Sequence, residues 1–260
     1  MIVRERFVNM KYLFAWLVII GHGCAHNQRS LPEGSDVKTV AFARNFDHTN
    51  LEVCWEIETN DTSEFREEFF NFTSKAFEDS VIRFHGWREC VNENSADIRL
   101  FIYDDKDAKN LDKFKVISEQ LVKENNGKFL GSGHPQLRGE TGKEKPSRVV
   151  LNRTFLNADP KITPMILKLT PRALYNLSIS SSIHEIGHAL GLRHEDAHPE
   201  KTCLDFHEEL GDSKVVTKYN PTSFMSRCFY RTFDYDSGVL LPNEQDLNGI
   251  NLLYKGVSGN

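Results

Sequence analysis

His184, Glu185, His188, Gly191 and His194 are the residues whose types and spacing carry chemistry in this chain. Two histidines four apart sit one turn from each other on the same face of a helix, so their imidazoles can converge on one ion. Glu185 follows the first histidine and points to the neighbouring side. From there it can take a proton from a water that the ion activates. Gly191 lets the chain leave the helix through a left-handed turn. The reversal brings His194 back as a third nitrogen ligand. Three neutral imidazoles leave the fourth position of a Zn2+ ion open, which is the pattern of a catalytic site rather than a structural one.

These side chains need a rigid support. Leu177, Ile179, Ile183, Ile186 and Leu190 recur through the same stretch and anchor the helix. Three His, one Glu and one Gly at these offsets would arise by chance in on the order of one sequence in 10⁴. The set therefore outweighs the plainer reading of a surface helix that happens to carry two histidines. Upstream, Leu51, Val53, Trp55 and Ile57 alternate with polar residues and predict a strand. Asp61 and Glu64 form a capping-box start for a helix that buries Phe65, Phe69, Phe72, Ala76 and Phe77. Short strands are expected at 81–84, 96–103 and 149–151. An amphipathic helix is expected at 105–126, with a Gly- and Lys-rich loop over 127–146. Strands interleaved with helices predict a twisted mixed sheet with helices packed on it.

The chain has 260 residues, 39% hydrophobic and 27% charged, with 18 Phe. That apolar content excludes a disordered chain. A net charge of -5 gives no basic surface of the kind that binds nucleic acid. Residues 1–23 read as a signal peptide, with Arg4, Arg6 and Lys11 ahead of the apolar run 12–20. Cys24 sits where bacterial lipoprotein signals place their lipidated cysteine, and acylation there would tether the protein to a membrane surface. Gly21 departs from the usual Leu or Val of that signal. Residues 24–48 are polar and read as a linker. The expected location is outside the cytoplasm: secreted, periplasmic or lipid-anchored at the cell envelope. Setting Cys24 aside leaves Cys54, Cys90, Cys203 and Cys228. Four cysteines allow three connectivities, of which sequence proximity favours Cys54–Cys90 with Cys203–Cys228. Free buried thiols are the alternative.

The His-Glu-x-x-His-x-x-Gly-x-x-His stretch resembles the signature of the metzincin zinc proteases, in which a methionine turn follows. Tyr219-Asn-Pro-Thr-Ser-Phe-Met225-Ser226 lies about thirty residues on, where that turn is expected. The resemblance gives Met225 the role of a hydrophobic floor beneath the metal. Glu195, next to the third histidine, looks like the astacin branch. Ala96-Asp-Ile-Arg resembles the edge strand that binds extended substrate. Pro242, Asp246, Gly249, Ile250, Leu253 and Tyr254 look like the C-terminal helix of bacterial members. Astacins carry a tyrosine two residues after the turn methionine, whereas this chain has Arg227 there; Arg227 and Tyr230 are the nearby residues that could take its role.

The resemblance implies an α+β fold spanning 49–256. It has an N-terminal subdomain over about 49–191, the active-site helix, and a smaller irregular C-terminal subdomain over about 192–256. It implies a zinc-dependent endopeptidase acting on extended protein or peptide substrates. His184, His188 and His194 hold one Zn2+ and Glu185 serves as general base, then general acid. A substrate strand would add to the 97–103 edge, and the protein is expected to act as a monomer. Two other readings stand beside this one. The first is a catalytically inactive, zinc-stabilised surface binding module, for which Glu185 would have no use. The second is a hydrolase with a shorter site and Glu208 or Glu209 as third ligand.

Overall fold

The computed structural model describes residues 40–41, 46–56, 63–92, 95–103, 147–152, 168–198 and 214–257. The expected signal peptide, most of the linker, Asp61, the 105–126 helix, the 127–146 loop, Cys24, Cys203, Glu208 and Glu209 lie outside these residues. No helix among the described residues is long and apolar enough to cross a membrane.

Strand β1 (Val40–Ala41) is followed by β2 (Asn50–Glu56) and helix α1 (Ser63–Ala76). Then come β3 (Arg83–Glu89), β4 (Ile98–Tyr103) and β5 (Ser147–Asn152). The long helix α2 (Pro171–Ala189) leads to a single 3-10 turn at Glu195–Ala197 and to β6 (Lys214–Val215). Helices α3 (Arg227–Thr232) and α4 (Glu244–Leu253) close the described chain. The α+β make-up is as expected, but the central sheet is parallel rather than the mixed sheet expected. The central sheet has the order β3-β2-β4-β5, with all neighbours parallel. The antiparallel pairing among the described residues belongs to a separate ribbon, β1 with β6.

The alternation read in 51–57 is realised at Leu51, Val53 and Trp55, which are buried, while Ile57 lies outside the described residues. Cys54 is buried too, because it bridges to Cys90 just past β3. In α1, Phe65, Phe69 and Ala76 face the core, Phe77 follows them, and Phe72 is half-buried. Phe65 meets Tyr175 of α2 edge-on at 6.1 Å between ring centroids, which seats one helix on the other.

The sheet corrects a second expectation. Strand 97–103 does not form an edge, because β4 pairs with β2 on one side and with β5 on the other. Both sides of its backbone are engaged, so a substrate strand cannot add there. Its Ile98, Leu100 and Phe101 are fully buried, as suits a central parallel strand covered on both faces. The alternation in 96–103 marks a strand but says nothing about which neighbours it takes.

Candidate metal centre

Helix α2 begins with a strong cap. Thr170 accepts from the Ala173 amide at 3.1 Å, and Pro171 occupies the first turn, where its missing N–H costs nothing. The helix is buried on most of its circumference, serines included. Ser180 and Ser182 donate to the carbonyls of Asn176 and Ser178, at 2.7 and 2.8 Å, so their hydroxyls are satisfied inside the protein. Leu177, Ile179, Ile183, Ile186 and Leu190 are essentially fully buried, as read from the sequence.

The helix ends in a Schellman turn. Gly191 has φ of 99°, a left-handed conformation that a side chain would resist. The Gly191 amide donates to His188 O and the Leu192 amide to Gly187 O, both at 2.9 Å. This turn also carries the Leu192 carbonyl to His188 Nδ1, at 2.9 Å. The Phe224 carbonyl takes His184 Nδ1 at 2.8 Å. With each Nδ1–H donating to a carbonyl, both rings present Nε2 with its lone pair outward.

His184, His188 and His194 come together. One nitrogen from each lies within 4.8 Å of the others. His188 Nε2 and His194 Nε2 are 3.2 Å apart. Two nitrogens of a tetrahedral zinc, each about 2.0–2.1 Å from the ion, stand about 3.3 Å from one another. His188 and His194 therefore stand at the spacing of two zinc ligands, and a His184 nitrogen lies within 4.8 Å of both. His184 and His194 expose only 8% and 9% of their surface, and the His184 ring lies 4.8 Å from that of His188 and 5.1 Å from that of His194. Glu185 is half-buried on the adjoining side of the helix.

Beneath the histidines lies the turn 220–226. Ser223 N donates to Asn220 O and Ser226 N to Ser223 O, giving two successive tight turns. Met225 and Phe224 are 1% exposed. They rest against Gly187, the residue between His184 and His188, so closely that a methyl group on Gly187 would lie 2.6 Å from Met225 Sδ and 2.9 Å from Phe224 Cζ. Sequence reasoning passed over Gly187. The available signal was a glycine within the helix, in its last turn, where glycine is still disfavoured against alanine and so marks a close approach.

Carboxylates hold this turn. Glu195 accepts from the Asn220 amide at 2.7 Å. Asp246, at the third position of α4, closes a capping box with Asn243 and accepts from the Phe224 amide at 3.3 Å. Burial pushes the Glu195 carboxyl up to about 8, aided by the charges of Asp246 and Asp196. Burial likewise raises Asp246 to about 6, although several hydrogen bonds favour its charge. Sequence reading placed Glu195 and Asp246 by resemblance and gave no role to Asp196, whose carboxylate takes Arg227. Arg227 is thus bound to Asp196, with its Nε 3.0 Å from Asp196 Oδ2. Tyr230 is the residue whose ring stands beside His184, at 6.0 Å. Its hydroxyl donates to Leu177 O, and burial raises its pKa, with the Glu185 charge adding to the effect. Tyr235 is buried and donates to Tyr230 O at 2.8 Å, fixing that segment.

No protein-family model and no curated protein matches the chain. Among solved structures it is similar to that of myroilysin, at 13% identity and a TM-score of 0.41, over 83% of this chain and 95% of that one. It is also similar to that of high choriolytic enzyme 1, a hatching enzyme zinc-protease from Oryzias latipes (medaka fish). There the identity is 14% and the TM-score 0.38, over 80% of this chain and 90% of the other.

Proposed function

We propose that this chain is a zinc-dependent endopeptidase of the metzincin type, hydrolysing peptide bonds in protein substrates. The observation that carries this reading is the convergence of three imidazoles, two with Nδ1 held by backbone carbonyls, next to a glutamate one residue from the first ligand. When bound, zinc would supply Lewis acidity, lowering the pKa of a water toward about 7 and polarising the scissile carbonyl. The protein's own residues do the rest. His184, His188 and His194 hold the ion. Phe224 O and Leu192 O fix the first two rings so that no reorientation is needed on binding. Glu185 accepts the proton of the attacking water. It then delivers that proton to the leaving amine nitrogen as the C–N bond breaks. Met225 and Phe224 close the floor and exclude water from beneath the ligands.

The Cys54–Cys90 bridge supports an exported protein, since oxidising compartments preserve such bonds. Cys228 is also disulfide-bonded, to a partner outside the described residues.

The test is metal content of the purified protein together with hydrolysis of a quenched casein, with and without chelator. One zinc per chain and chelator-sensitive hydrolysis are expected. Glu185→Gln should keep the zinc and lower kcat by about 10²–10⁴-fold. Stoichiometric zinc with no hydrolysis of any protein substrate would refute the endopeptidase and favour a binding module.

A further inference from the structure

The two residues that follow the third histidine are both buried acids, and they reach opposite ends of the same turn. Glu195 is 1% exposed and takes the Asn220 amide at the start of the turn. Asp196 is fully buried and takes the end of the turn. Its Oδ2 accepts from the Arg227 backbone amide at 3.1 Å and from Arg227 Nε at 3.0 Å. Between the two, the Glu195 amide donates to Met225 O at 3.1 Å. Asp196 Oδ1 has no hydrogen-bond partner among the described residues, so the anchorage described for this carboxylate runs through Arg227. A buried ion pair adds little net stability compared with apolar packing, because both charges must be desolvated. Its presence here calls for a geometric use.

We propose that Asp196 and Arg227 are positioning residues that lock the third-ligand loop to the exit of the methionine turn and so set the spacing of the metal ligands. The inference rests on the metal reading of the site. The coupling is direct. His194 lies two residues before Asp196. His184 takes its carbonyl from Phe224, three residues before Arg227. A shift of the turn against the loop therefore moves two ligands relative to each other. The pair also commits the Arg227 guanidinium to Asp196 and removes it from the candidates for a role at the reacting atoms.

The experiment measures zinc affinity, by competition with a chromophoric chelator, for the parent, Asp196→Asn, Arg227→Gln and the double variant. Urea unfolding of the zinc-free forms and the visible spectrum of the cobalt-loaded forms are recorded beside it. Asp196→Asn and Arg227→Gln are each expected to weaken zinc binding by about 10–100-fold, the usual effect of losing a partner behind the ligands. The cobalt spectrum should change in both. The double variant should be no weaker than the worse single one, because the two residues act as one unit. Unchanged zinc affinity and cobalt spectrum in folded variants, with only the urea midpoint lowered, would make the pair a plain fold staple and overturn the proposal. Additive losses in the double variant would overturn it as well. Should Asp196→Asn not fold, Arg227→Gln, which keeps the backbone hydrogen bond, decides the matter alone. A parent protein that binds no zinc would refute the metal reading itself, and with it this inference; a parent that binds zinc with indifferent variants refutes the clamp only.

Discussion

Replacing Gly187 by alanine adds one methyl group where Met225 Sδ and the Phe224 ring already stand, at 2.6 and 2.9 Å from the new carbon. Comfortable separation for such atoms is about 3.5–4.0 Å, so the neighbours would have to retreat by roughly 1 Å. Both are buried, so a retreat must displace other core side chains rather than open into solvent. Two effects oppose each other. Alanine is favoured over glycine in a helix by at most about 1 kcal/mol, and residue 187 lies in the last turn, where the gain is smaller. Overpacking a filled core costs about 1–3 kcal/mol. The overlap involves two side chains rather than one, so packing wins and a net loss of about 1–2 kcal/mol is expected. In a domain of this size that lowers Tm by about 2–8 °C. The displaced residues are also the floor and the carbonyl support of His184, so zinc affinity should fall by about tenfold or more. Differential scanning calorimetry of the zinc-free protein and chelator competition read the two effects separately. A Tm equal to or above that of the parent, with unchanged zinc affinity, would refute the argument that Gly187 exists for this contact.

Further outcomes are expected elsewhere. His188→Ala removes one of three imidazoles and should leave no stoichiometric zinc after gel filtration; retained zinc would mean the ion sits elsewhere. The Cys54–Cys90 bridge closes a separation of 36 residues, so Cys54→Ser with Cys90→Ser should cost about 3–4 kcal/mol in urea unfolding, and an unchanged midpoint would refute a role in stability. His48 hydrogen-bonds to Asp47 at 2.9 Å and to Asp97 at 3.1 Å. Burial works against its charge, but the two carboxylates outweigh it and raise its pKa above 6.5. The resulting stability is fully present below pH 6.5 and is lost as pH rises through the folded-state value. Asp97→Asn should flatten that part of the urea midpoint's pH dependence between pH 6 and 8. An undiminished slope would count against His48 as its source.

The local pieces were legible because each rests on a short-range rule. The two turns of helix that bear the histidines, the left-handed exit at Gly191 and the aromatic stripe of α1 follow from spacing alone. What could not be read depends on contacts between distant segments. Alternation identifies 98–103 as a strand, yet its central place comes from β2 and β5, more than forty residues away on either side. A run of Glu195-Asp196 looks like surface charge in a sequence. Only the fold brings Asn220 and Arg227 to those carboxylates and buries them. Gly187 was legible in principle, since a glycine inside a helix, here in its last turn, invites a question that spacing rules for ligands do not ask.

The two carbonyls that orient the ligands have different origins. Leu192 O reaches His188 within the same turn of chain, whereas Phe224 O reaches His184 from forty residues downstream. A nascent chain that has emerged only as far as residue 198 would carry all three imidazoles and yet keep only one of these two anchors. If the histidines hold zinc as proposed, capture of the ion is tied to completion of the C-terminal part, and a truncated product would be poorly equipped to acquire metal before the rest of the polypeptide arrives.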